Sequence, residues 1–283
     1  MILLIERAEF LLQYIVLKTN ILGCRLRQPF LEVYMKNYIL ECCVDSVESA
    51  INAESGGASR IELCSNLIIG GTTPDLALVR EIRKHTDIRI HALIRPRFGD
   101  FCYSKYEMEI MKSQIRALKE AGVEGAVIGV LDEDGNLNLP AMKELIAAAE
   151  GMSITLHRAF DMCRDPFQTL EEAIELGINT ILTSGQKQSA WEGRELLCQL
   201  IDKAEGRIDI MAGAGIGASV IEQLLPVTGG TSYHMSGKVT LDSPMRYRKA
   251  DVSMGLPSLS EYEIWQTSEQ HVRDAAEVLE GIV

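Results

Sequence analysis

The sequence predicts an α/β protein, a (β/α)8 TIM barrel in a single domain. Three observations point there. From Tyr38 onward, short apolar runs rich in β-branched residues alternate with stretches of three-to-four apolar periodicity, strand then helix, eight times over. Glycines such as Gly122, Gly151 and Gly177 stand where helical stretches stop. The chain from Met35 onward is also the length of such a barrel, ~250 residues. An open, doubly wound sheet competes, but it more often carries Gly-x-Gly-x-x-Gly after its first strand. Here that strand ends in Cys43-Val44-Asp45, and the glycine-rich turns come late.

The elements follow in order. A first strand near Tyr38–Cys43 leads through a helix from Ser46 to Ser55 into a second strand around Ile61. A glycine-rich loop, Gly70-Gly71-Thr72-Thr73-Pro74, precedes a helix from Asp75 to His85 with Leu76, Val79 and Ile82 on one face. The third strand is Ile88–Arg95, stopped by Pro96, and its helix is Tyr106–Ala121. Strand four is Gly125–Leu131, followed by a turn at Asp132-Glu133-Asp134-Gly135 and a helix from Pro140 to Glu150. Strand five is Ile154–Ala159, and Pro166 suits the first turn of the next helix. Strand six, Thr180–Thr183, pairs with a helix over Ala190–Ala204, and strand seven, Ile208–Ala212, with a helix over Ala218–Leu225. Strand eight is Ser232–Met235, after which a loop leads to a last helix near Glu261–Leu279. Such short apolar strands separated by helices fit a parallel sheet covered on its outer face.

Composition narrows the function. The chain is 47% hydrophobic and 24% charged, with a formal net charge of -12. No Lys/Arg-rich run stands out, so nucleic acid is not an expected partner. No apolar run reaches the ~18 residues of a membrane helix. Seven cysteines, an odd number without Cys-x-x-Cys, read as reduced thiols in a cytoplasmic protein. Residues 1–34 form an N-terminal extension ahead of the barrel domain, 35–283. Charges at Glu6, Arg7, Glu9 and Lys18 interrupt its apolar stretch, unlike a secretory signal. Two readings are open: an upstream start, with Met35 the biological one, or an amphipathic helix packed on the body. The intact mass of the native protein separates them.

The chemistry gathers at strand ends, where barrels place their sites. Glu-x-Cys occurs twice, as Glu41/Cys43 and Glu62/Cys64. Residues two apart in a strand share a face, so each Glu lies on the side of its Cys. Alternation adds His91 and Arg95 from strand three, His157 and then Asp161 from strand five, Thr183 or Ser184 from strand six, and His234 and Ser236 from strand eight. This is a polar inner face for a barrel normally filled by Val, Ile and Leu. The bland reading is a buried ion-pair network, with Glu41 and Glu62 neutralised by Arg95 and the two thiols acting as small buried hydrophobes. A second cluster, Gly213-Ala214-Gly215 and Ser236-Gly237-Lys238, follows strands seven and eight, where barrels often hold phosphate on backbone N–H groups. Those glycines equally permit tight turns.

The runs LECCVDSVESAINAESGGASRIELC, GGTTP, IRPRFGDFCYS, LHRAFDM, LTSG and IMAGAGI resemble the CutC copper homeostasis family over essentially the whole body of the chain. The resemblance implies a TIM barrel, a cytoplasmic homo-oligomer (often a dimer), and a part in copper homeostasis through thiol-bound Cu(I). The family's proposed copper ligands fall on Cys43 and Cys64, soft donors that suit Cu(I), and His157 or His234 could add a ligand. The inward Glu41, Glu62, Arg95, His157 and Asp161 exceed what a metal carrier needs. They support an alternative: a lyase, isomerase or hydrolase acting on a small phosphorylated or anionic metabolite. There Glu41 or Glu62 is the general base, His157 an acid, Arg95 an anion clamp, and Gly213, Gly215, Ser236, Gly237 and Lys238 the anion cradle.

Overall fold

Strand alternation and helix capping account for most of the architecture of the computed structural model, which describes residues 38–250, 252, 254, 255 and 259–281. The extension and the Met35 start lie outside the described residues. The first strand, β1 (Ile39–Val44), sends Leu40, Cys42 and Val44 outward into the apolar layer under the helices. Its intervening residues therefore face the barrel axis. Ser46 then caps helix α1 (Val47–Ser55), its Oγ accepting from the Ser49 N–H, and the chain returns as β2 (Arg60–Leu63), parallel to β1.

The same unit repeats. Helix α2 (Leu76–Ile82) is capped by Asp75 and leads to β3 (Arg89–Leu93). Helix α3 (Lys105–Glu120) begins with a reciprocal capping box between Ser104 and Glu107, which satisfies two otherwise orphaned N–H groups. Then come β4 (Gly125–Ile128), α4 (Leu139–Ala148), β5 (Ser153–Leu156) and a 3-10 turn over Arg158–Met162. Asp165 caps α5 (Pro166–Glu175), which carries Pro at its start. The circuit continues through β6 (Thr180–Thr183), α6 (Arg194–Ala204), β7 (Asp209–Ala212), α7 (Ala218–Thr228) and β8 (Ser232–Met235). Strand β8 pairs with β1, Glu41 opposite His234, and closes the eight-stranded parallel barrel.

One segment differs from the expectation. The chain after β8 is not a plain loop. It forms β9 (Lys238–Asp242), antiparallel to β10 (Glu263–Thr267), ahead of α8 (Glu269–Gly281). Neither strand is a buried apolar run; β9 is mostly exposed. What defines them is pairing across more than twenty residues, which local periodicity does not report. Their ends anchor inward: the Thr267 N–H donates to the Ser49 Oγ at 3.1 Å, and the Asn52 amide to the Thr267 carbonyl at 2.9 Å. Helix α8 then packs on α1, with Gly56 so close to Val272 that an added Cβ would lie 2.6 Å from the Val272 Cβ.

The main core is the layer between barrel and helices, with Leu40, Ile61, Ile90, Ile128 and Leu156 fully buried. Burial of such a side chain stabilises the fold by ~1.5–3 kcal/mol. No helix among the described residues is long and apolar enough to cross a membrane.

Candidate functional site at the carboxyl end of the barrel

The barrel interior is built around Glu41, which has no exposed surface. Register sets its partners, because Arg60 stands opposite it on β2 and His234 opposite it on β8. The Arg60 Nε donates to Glu41 Oε2 at 2.5 Å, and the His234 Nδ1 to Glu41 Oε1 at 2.7 Å. Burial alone would raise the Glu41 carboxyl, but Arg60 and then His234 outweigh it and hold the pKa at about 2. This corrects one expectation: Arg60, not Arg95, neutralises Glu41. Arg60 begins β2 two residues before Glu62, so alternation puts it on the inner face once the strand starts at residue 60.

The thiols adjoin this network. Cys64 is fully buried and its Sγ donates to Glu62 Oε2 at 3.5 Å. Cys43, partly exposed, lies opposite Glu62 in the register and donates to the Met235 carbonyl at 3.6 Å. Burial works against a charge on His234, yet Cys43, Glu41 and Glu62 lift its pKa well above the usual imidazole value. Its Nε2 stands 3.8 Å from Glu62 Oε2. Burial also raises the Glu62 carboxyl, and burial followed by the neighbouring Glu62 pushes the Cys64 thiol far up. Gly71 covers Cys64: a Cβ there would sit 2.7 Å from Leu93 Cδ2 and 3.5 Å from the Cys64 Sγ.

Arg95 does other work. Its Nη1 donates to the Gly70 and Gly71 carbonyls at 3.1 and 3.2 Å, and its Nη2 to the Gly99 carbonyl at 2.9 Å. It ties together the loops after β2 and β3. His157 is buried, with Nδ1 accepting the Ala159 N–H at 3.1 Å. Burial and then the Arg95 charge bring its pKa to about 3. Asp161 accepts from the Thr183 hydroxyl at 2.5 Å, from Ser184 and Gln186 N–H groups, and from the Arg158 Nε at 2.7 Å. It tethers the loops after β5 and β6.

The late glycine-rich loops divide. Gly213 continues the sheet, its N–H donating to the Thr183 carbonyl at 2.9 Å, and Gly215 has a positive φ of 75° that favours glycine. Ser236 and Gly237 lead into the β9–β10 hairpin, with the Ser236 carbonyl accepting from Thr267 Oγ1 at 3.1 Å. The Lys238 Nζ stands over Trp265, 3.1 Å from the ring centroid. Glu41, Glu62, Cys43, Cys64 and His234 therefore form one group, Arg95 and His157 a second, and Asp161 and Lys238 are bonded elsewhere. Among the described residues, no set of three or more His, Cys, Asp or Glu side chains forms a ready metal cage.

Fold and site together define a TIM-barrel protein whose mouth carries paired thiols beside a buried carboxylate–imidazole network. The CutC family profile matches residues 38–239, and the chain belongs to the CutC family, the copper homeostasis proteins. It is 45% identical over 237 residues to the mouse copper homeostasis protein cutC homolog, covering 83% of this chain and 87% of that one. To the human homolog it is 43% identical over 247 residues, covering 87% and 90% of the two chains. A crystal structure of the copper homeostasis protein CutC from Streptococcus agalactiae superposes with a TM-score of 0.68 at 28% identity, covering 71% of this chain and 99% of that one.

Proposed function

We propose that this protein serves copper homeostasis by binding Cu(I) through the thiolates of Cys43 and Cys64. The observation that carries the reading is the placement of two soft donors at the inner ends of adjacent strands, beside the His234 imidazole and the Glu62 carboxylate. Cu(I) accepts low coordination by thiolates, so two such ligands are chemically sufficient. Binding requires loss of the Cys64 proton, and Glu62 is placed to receive it because the thiol already donates to that carboxylate at 3.5 Å. Metal uptake is then coupled to proton release.

An anaerobic Cu(I) competition titration against a chromophoric chelator tests this. The wild-type chain is expected to bind stoichiometrically. The Cys43→Ser, Cys64→Ser double variant should lose binding while keeping its fold by circular dichroism. Unchanged affinity in that variant would return both thiols to the core as small hydrophobes.

A further inference from the structure

A second group of side chains at the barrel mouth takes no part in the thiol network. Val127 of β4 stands opposite Leu93 on one side and Thr155 on the other. Two residues further along, the same inward row places Arg95, Gly129 and His157 side by side. The missing side chain at Gly129 is what permits this: a Cβ there would sit 2.5 Å from the His157 Cε1. The His157 ring therefore leans across Gly129 toward Arg95. Phe101 completes the corner, its ring centroid 4.9 Å from that of His157 and 5.2 Å from the Arg95 Cζ.

Three polar atoms in this corner are buried without any protein hydrogen-bond partner: Arg95 Nε, His157 Nε2 and the Tyr103 hydroxyl. Each carries a hydrogen it can donate. His157 Nδ1 is occupied as an acceptor by the Ala159 N–H, so the proton of the neutral ring resides on Nε2. Tyr103 lies beside Arg95, whose charge and side-chain contact oppose the effect of burial. Burial still dominates and pushes the Tyr103 pKa up to about 12, so the hydroxyl keeps its proton. Leaving a buried donor unpaired costs ~1–3 kcal/mol. Both Arg95 and His157 are nine-tenths buried or more, and neither is needed to neutralise another group of the barrel.

We propose that Arg95 Nε, His157 Nε2 and the Tyr103 hydroxyl form a binding site for a small oxyanion, the carboxylate or phosphate group of a metabolite. Three hydrogens to donate, one of them on a permanently cationic group, favour a ligand group that accepts. The site offers no nitrogen lone pair to a metal ion while His157 keeps its Nε2 proton, so it is chemically distinct from the thiol pair. Three of the four terminal N–H groups of Arg95 are spent on loop carbonyls, and its buried Nε–H is left for the ligand. Phe101, half-buried, closes the corner against the His157 ring and the Arg95 guanidinium. The site stands independently of the copper reading.

The test uses the full-length, metal-free protein. Nitrogen-15 NMR follows the Arg95 Nε–H and His157 Nε2–H signals during titration with acetate and, separately, with inorganic phosphate; calorimetry gives the affinity. Saturable shifts of both signals are expected with one of the two anions, at a Kd of ~1 mM or tighter, and which anion saturates identifies the source. Tyr103→Phe, which removes one hydroxyl, should weaken binding about tenfold without lowering the melting temperature. If neither anion saturates the wild-type signals, or if Tyr103→Phe binds as tightly as wild type, the proposal is wrong.

Discussion

At the scale of single residues, the decisive side chain is Arg60. It is 5% exposed and answers a carboxylate with no exposure at all. Removing one member of a buried pair leaves the other charged and unpaired, which costs more than the pair contributes. Arg60→Met is therefore expected to destabilise the protein by ~3–5 kcal/mol, and the double variant with Glu41→Leu should regain much of that. Urea denaturation of the single and double variants measures both; a loss under ~1 kcal/mol in Arg60→Met would mean that His234 alone suffices for Glu41. The sequence exposes Glu41, Cys43, Glu62, Cys64, His157 and His234 as inward residues because each ends an apolar run. Arg60 is not legible in that way. A charged residue opening a strand looks like loop until the strand pairing is known, whereas Arg95, closing one, looks like the counter-ion it is not.

At the scale of elements, β4 shapes the interior by what it lacks. Its inward positions are Gly125, Val127 and Gly129, and the two glycines make room for imidazoles on the neighbouring strands. An added Cβ at Gly125 would fall 2.4 Å from the His91 ring, and one at Gly129 would fall 2.5 Å from the His157 ring. Neither position has a positive φ, so the obstacle is steric contact and not backbone strain. Gly129→Ala should destabilise by ~1–3 kcal/mol and displace the His157 ring, read as a change in its NMR signals; an unshifted ring would show that the space beside it is slack. The strands and most helices were legible because a covered parallel barrel demands short apolar runs with helices between them. The β9–β10 hairpin was not, since its residues are mostly exposed and its stability comes from partners far away in sequence. Cap residues such as Ser46, Asp75 and Ser104 mark helix starts to within a residue or two, as local hydrogen bonding should.

At the scale of the molecule, the buried histidines make stability depend on pH. Burial, with help from Arg60 in one case and Arg95 in the other, sets His91 at about 4 and His157 at about 3. Both titrate near ~6.5 when unfolded. As pH falls below that value the unfolded chain binds more protons than the folded one, and stability drops by up to ~1.4 kcal/mol per pH unit for each group. Glu41 extends the loss further down: its folded pKa of about 2 lies below its ordinary value, so its contribution disappears as pH falls toward 2. His234 has the opposite sign. Its raised pKa gives a contribution that is complete below ~6.5 and fades as pH rises through the folded value. Between pH ~6.5 and ~4 the His234 contribution is constant, and the two buried neutral imidazoles, opposed only by the raised Glu62 carboxyl among the groups of the thiol network, should make the urea midpoint fall. A flat profile across that window would show that His91 and His157 take up protons without unfolding.

Arg95 joins the Gly70–Gly71 segment, which lies over Cys64, to the segment of Gly99, Phe101 and Tyr103. One guanidinium thus keys two loops that belong to different strands. Each lifts only by giving up its bonds to that shared guanidinium. In amide hydrogen exchange, Gly71, whose N–H donates to the Asn66 carbonyl, and Cys102, whose N–H donates to Asp100, should exchange as one cooperative unit. Exposure of the second thiol to the solvent is then an event of the whole rim, with a single opening free energy.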